Sequence, residues 1–159
     1  MRKALILTMA LFSVVACVHA QAETTDNNGL TVVTDNFKVV DAGSTDSIST
    51  LSSSDDSSVI GSLGDKNVVT GEKDEKNIAY VKTPDDRNYI IKNTILVKCA
   101  RNTECIPAGL EAEKLSKTVY EVTVHSYDDW NSVQDELRRT PGVINVAPSF
   151  YQGIKPELK

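Results

Sequence analysis

Positive charge is in short supply. The 159 residues carry 17 lysines and arginines against 22 aspartates and glutamates, a net charge of −5. Two of those cations, Arg2 and Lys3, lie in an amino-terminal segment built like an export signal, and that segment holds no acid, so its removal takes the net charge to −7. Nucleic-acid phosphates need a basic face, which argues against DNA or RNA as a partner and favours one that is basic or indifferent to charge. Histidine is scarcer still, and only His125 lies outside the signal-like segment. A metal centre would need more ligands than this chain brings to it, and no cofactor is expected. None of the eight glycines sits in a phosphate-cradling loop, and no internal repeat is present. Beyond residue 22 no apolar run approaches the roughly 20 residues that cross a bilayer as a helix, so the chain is not expected to span a membrane.

The first 22 residues are expected to be a signal peptide. Arg2 and Lys3 precede an apolar Ala4–Val18, and Ala20-Gln21-Ala22 resembles a signal-peptidase site. A second processing route competes, because Val14-Val15-Ala16-Cys17 resembles a lipobox that would leave Cys17 lipid-anchored. Either route sends the protein to the periplasm or beyond. Cys99 and Cys105 survive both, and an even pair six apart in an oxidising compartment reads as a small disulfide loop.

Residues 23–88 form an acidic, Ser-rich extension, expected to be poorly structured apart from short β runs. Thr31–Thr34 and Phe37–Asp41, separated by Asp35-Asn36, suggest a hairpin. Ser44–Ser58 holds eight serines and three aspartates, too little apolar surface to offset chain entropy, and reads as a mobile linker. Val59–Gly71 and Asn77–Thr83 are further strand candidates around the charged Glu72–Lys76, and Pro84-Asp85-Asp86 signals a turn.

From Tyr89 the pattern sharpens. Tyr89–Cys99 is rich in β-branched residues, with Ile95, Val97 and Cys99 on one face. Cys99–Gly109, broken by Pro107, has room for a turn or two of helix; Leu110–Leu115 fits helix or strand. Thr118–His125 alternates as a strand. Ser126 then caps an amphipathic helix, with Asp129 three residues on and Trp130, Val133 and Leu137 on one face. Arg138-Arg139 suits the helix end and Pro141-Gly142 stops it. Val143–Ala147 resumes as a strand, and Gln152–Lys159 is a tail. The expected fold class for residues 89–151 is therefore α+β, a ferredoxin-like βαββαβ domain with an antiparallel sheet and helices on one face.

Little in this order suggests an enzyme. His125 has Ser126 and Asp128 beside it, but neighbours in sequence do not make a triad. Asp128 and Asp129 are accounted for as anions at a helix start.

The segments NTILVKC from Asn93, EKLSKTVYEVTV from Glu113 and RRTPGVINVAPSF from Arg138 together resemble the inhibitory propeptides of subtilisin-like serine proteases. The exported, freestanding form with an acidic extension is similar to the external chaperones of kexin-like subtilases. The likeness covers somewhat under half the chain and departs at Cys99–Gly109, where such propeptides have a helix; residues 23–88 have no equivalent. The resemblance implies a non-enzymatic chaperone and inhibitor that lays an open sheet face on two helices of the protease. Its tail then enters the active-site cleft like a cleaved product. By alternation from an inward Val122, Val124, Ile144 and Val146, that face includes Glu121, Thr123 and Asn145, with Glu121 suited to a helix N-terminus on the partner. Tyr151, just before the tail, is expected to touch the partner as well, and in the tail Lys159 would fill the pocket before the scissile bond, with Leu158, Glu157 and Pro156 behind it. The competing function is an envelope lipoprotein or periplasmic binding module with an unrelated partner, which lipid on Cys17 would favour.

Overall fold

Eleven residues, Tyr89–Cys99, form the strand on which everything else is hung. In the computed structural model, which describes residues 23–26, 28–42 and 58–153, the order is β1 (Glu23–Thr25), β2 (Thr31–Val33), β3 (Phe37–Asp41), β4 (Val59–Leu63), β5 (Lys66–Thr70) and β6 (Asn77–Lys82). Then come β7 (Tyr89–Cys99), β8 (Glu111–Lys114), β9 (Val119–Thr123), helix α1 (Tyr127–Arg139) and β10 (Val143–Tyr151). The signal-like segment, the serine-rich residues 43–57 and residues 154–159 lie outside the described residues.

β7 is long enough to serve several partners. On one edge its first half pairs antiparallel with β6 and its second half with β9. Asn93 is the joint, donating its N–H to the Lys76 carbonyl at 3.0 Å and accepting from Val124 N–H at 2.8 Å. Along the other edge β10 runs antiparallel from Cys99 down to Ile90. β2 and β1 extend the sheet beyond β6, and β8 extends it beyond β9, giving seven strands. A second, three-stranded antiparallel sheet has the order β3-β5-β4.

Alternation along β7 sends its two sets of side chains into different environments. Ile91, Ile95, Val97 and Cys99 face α1, where Trp130, Val133 and Leu137 join them with Val122 and Val124 in the larger core. The Cys99–Cys105 disulfide, Cα atoms 5.7 Å apart, lies in the same layer. Ile90 faces the other way and packs with Val33, Phe37, Leu63, Val68 and Tyr80 in a smaller core beneath the second sheet. Tyr80 reaches β4 at Gly61, where an added Cβ would stand 1.9 Å from the phenolic oxygen, so only glycine permits the contact.

α1 forms as its residues dictate. The Ser126 side chain accepts from Asp129 N–H at 3.1 Å, Asp128 and Asp129 occupy the first turn, and Arg138 and Arg139 the last. Thr140 leaves the helical conformation and Gly142, at φ 88°, turns the chain into β10.

The ferredoxin-like βαββαβ expectation is overturned. Among the described residues there is one helix against ten strands in two antiparallel sheets. Residues 100–110, expected to offer a helix, are held instead as a loop by the disulfide and Pro107, and a segment this short tied at both ends has no room to propagate helical turns. Nor are the described parts of residues 23–88 a poorly structured extension. β1, β2 and β6 continue the main sheet, and β3, β4 and β5 build the second one. The hairpin expected between Thr31–Thr34 and Phe37–Asp41 does not form. β2 pairs with β1 and β6, whereas β3 crosses to pair with β5. Asn36, at φ 54°, supplies the left-handed residue that redirects the chain between the sheets. Leu110–Leu115 resolves as β8.

Tyr80 is fully buried between the two sheets. Burial, aided by the charge of Asp86, pushes its hydroxyl pKa up to about 12. The unfolded chain ionises this group near 10.0, so between those two values the native state holds the extra proton and stability falls as pH rises. The loss is expected to reach about 2 to 3 kcal/mol by the upper end of the window, and to disappear in Tyr80→Phe. Spectrophotometric titration checks it: all five tyrosines ionising together near the usual value would contradict this placement.

Candidate protein-docking face

The main sheet has one face whose central strands are covered by α1 and one that is covered only near Ile90 and Tyr80. α1 and the disulfide loop lie over the side that carries Ile95, Val97 and Cys99. The second sheet shields the opposite side near Ile90 and Tyr80. The rest of that opposite side, across β8, β9, the second half of β7 and the first part of β10, has no layer above it among the described residues.

Register fixes what stands there. Glu111, Thr123 and Thr94 form one cross-strand row, completed on β10 by Ser149, whose hydroxyl lies 3.1 Å from that of Thr94. Glu113, Glu121, Leu96 and Ala147 form the next. Val119, Lys98 and Asn145 form the third. Leu96 sits at the middle of this grid and is 37% exposed, although it stands between the buried Ile95 and Val97. Glu121, Thr123 and Asn145, named from the sequence, thus share one face, with β7 between the first two and the third.

Alternation missed Ile144, which it placed inward and which is 61% exposed. A register shift between Val143 and Asn145 inserts an extra residue in β10, so Val143 and Val146 both meet the core while Ile144 and Asn145 point away. It also missed Leu96, Thr94 and Glu113. The signal for them was present, because they alternate with Ile95, Val97 and Ala112, which pair with Val122 and Tyr120 and share their face.

Tyr151 is half-buried against the smaller core, with the Lys92 ammonium 5.9 Å from its ring centre. Lys92 donates to Asn77 Oδ1 at 2.5 Å, and burial lowers its pKa against the pull of Asp74. The chain then leaves through Gly153, at φ 74°, so close to the β4–β5 turn that an added Cβ would stand 2.2 Å from the Leu63 carbonyl oxygen. Pro156, Glu157, Leu158 and Lys159 follow outside the described residues. β10 presents a free outer edge, and two features blunt it. Ala100 N–H bonds to Gly142 O at 2.8 Å and Cys99 N–H to Thr118 O at 2.7 Å, so even-numbered residues of β7 address β10 and odd-numbered ones β9. Pro148 is opposite Ile95; its nitrogen therefore points outward, removing one donor from the exposed edge, and the two register shifts interrupt the rest.

His125 is exposed and its Nε2 lies 3.1 Å from Glu111 Oε2. The hydroxyl of neighbouring Ser126 is committed to the helix cap. Among the described residues no three His, Cys, Asp or Glu side chains converge as a metal site requires, and no helix is long and apolar enough to cross a membrane.

No protein-family model, curated protein or solved structure matches this chain. The partly exposed leucine, the hydroxyl row and the opposed glutamates therefore carry the functional reading by themselves. What they offer chemically is a flat surface with an apolar centre and polar surroundings, suited to another protein surface rather than to a small molecule.

Proposed function

We propose that this chain is an exported, non-enzymatic chaperone and inhibitor that docks its uncovered sheet face on a secreted subtilisin-like serine protease and presents its C-terminal tail to the active-site cleft. The observation that carries the proposal is the grid around Leu96, an apolar centre ringed by Glu121, Thr123 and Asn145 on the side opposite α1. The exit of the chain supports it. Tyr151 and Gly153 lie against the second sheet, on the same side of the main sheet as the open face, so the tail leaves the fold on that side.

The test is co-expression with a secreted subtilisin-like protease, followed by activity titration. Active protease is expected only when the two are made together, and the purified chain is expected to inhibit it. Protease that matures equally well alone would leave inhibition without chaperoning; absence of any complex would remove the reading. Deleting Glu157–Lys159 is expected to leave the described fold intact and to weaken inhibition roughly tenfold to a thousandfold, the worth of a desolvated charge pair with its hydrogen bonds. Equal inhibition by full-length and truncated chains would restrict the contact to the sheet face.

A further inference from the structure

Resting on the docking reading above, we infer that the face is polarised and that its partner sets basic side chains over Glu113 and Glu121 of β8 and β9 and an apolar group over Leu96 and Ala147 of β7 and β10, between the polar pairs Thr94–Ser149 and Lys98–Asn145. Glu113 stands directly opposite Glu121 in the β8–β9 register, with Glu111 at the next outward position of β8. Neither Glu113 nor Glu121 has an ion-pair partner among the described residues; Glu111 has only His125. Like charges placed directly across two strands destabilise the free sheet. Leu96 pairs with Glu121 on one side and Ala147 on the other, so within one cross-strand row the surface passes from two carboxylates to two apolar groups. A partner cation over Glu113 and Glu121 would relieve their repulsion while Leu96 and Ala147 lose water. The overall excess of acid adds long-range attraction for such a surface, so the glutamates act on the rate of encounter and on orientation, and Leu96 on residence.

Two synthetic probes test this without the protease: an alternating lysine–leucine peptide and its glutamate–leucine counterpart, titrated into isotopically labelled protein. The lysine peptide is expected to shift the backbone amides of Glu113, Glu121 and Leu96, with an effect that fades at high salt, and the glutamate peptide to shift none of them. Glu113→Gln with Glu121→Gln is expected to weaken lysine-peptide binding about tenfold while raising the melting temperature of the free chain. Glu75→Gln with Glu136→Gln removes the same charge from exposed positions off this face and is expected to change binding little. Equal weakening by both pairs, or equal binding of both peptides, would overturn the polarity. Protease inhibition that survives the first pair but not Leu96→Asp would overturn it too and leave the docking face standing; survival in all variants would remove the face as well.

Discussion

Replacing Leu96 with aspartate is expected to weaken inhibition of the protease by roughly a hundredfold to several thousandfold while the chain stays folded. Leu96 points away from α1 at the centre of the uncovered grid, and its side chain is already partly in water. A carboxylate there is solvated in the free protein, so the expected stability loss is no more than about 1 kcal/mol of strand preference. In the complex the same carboxylate is trapped beneath the partner's apolar group and beside Glu121. An unpaired buried charge costs about 3 to 5 kcal/mol, which is the expected loss of affinity. Titration of protease activity measures the affinity, and thermal unfolding confirms that the fold is kept. Inhibition within a few-fold of the unmodified chain would show that the partner sits elsewhere.

Trp130→Ala is expected to cost roughly 3 to 5 kcal/mol of folding stability, the range for emptying a large aromatic site. Trp130 is 9% exposed and joins α1 to the sheet through an aromatic chain: Tyr127 stacks on it at 6.0 Å, Phe150 meets it edge-on at 5.9 Å, and Tyr89 meets Phe150 at 5.5 Å. Its truncation therefore removes support from the helix, from β10 and from the start of β7 at once. The indole nitrogen is buried and has no hydrogen-bond partner among the described residues, so part of the burial gain is offset by a desolvated donor. Trp130→Phe keeps most of the packing and removes that donor, and should cost distinctly less than alanine. Chemical denaturation of both variants decides the matter; an alanine variant as stable as the unmodified chain would mean that the aromatic chain carries no weight.

Legibility followed the range of the forces involved. α1 was readable residue by residue, because its cap at Ser126, its acidic start, its apolar face and its stop at Pro141-Gly142 are all local choices. β9 was readable for the same reason, since alternation from Val119 to Thr123 fixes which side chains share a face, and that placed Glu121 and Thr123 together. β2 and β3 show the limit. Each was legible as a strand, yet their closeness in sequence suggested a hairpin, whereas their partners lie tens of residues away in β6 and β5. Ile144 shows another, because a single inserted residue in β10 reverses the parity that alternation assumes.

By itself the sequence determined where the chain is acidic, that Tyr89–Cys99, Thr118–His125 and Val143–Ala147 carry strands with a helix between the last two, that Cys99 and Cys105 are placed to bridge, and that Glu121, Thr123 and Asn145 avoid the core. Those are consequences of composition, periodicity and short spacing. Only the tertiary structure decided that one edge of β7 is shared end to end by β6 and β9, which draws the supposed extension into the same sheet. It also decided that a second sheet covers Ile90 and Tyr80 but stops short of Leu96. Strand pairing over such separations depends on which distant surfaces bury each other best. No window of residues carries that competition, so the open face and its opposed Glu113 and Glu121 exist only once the whole chain has closed.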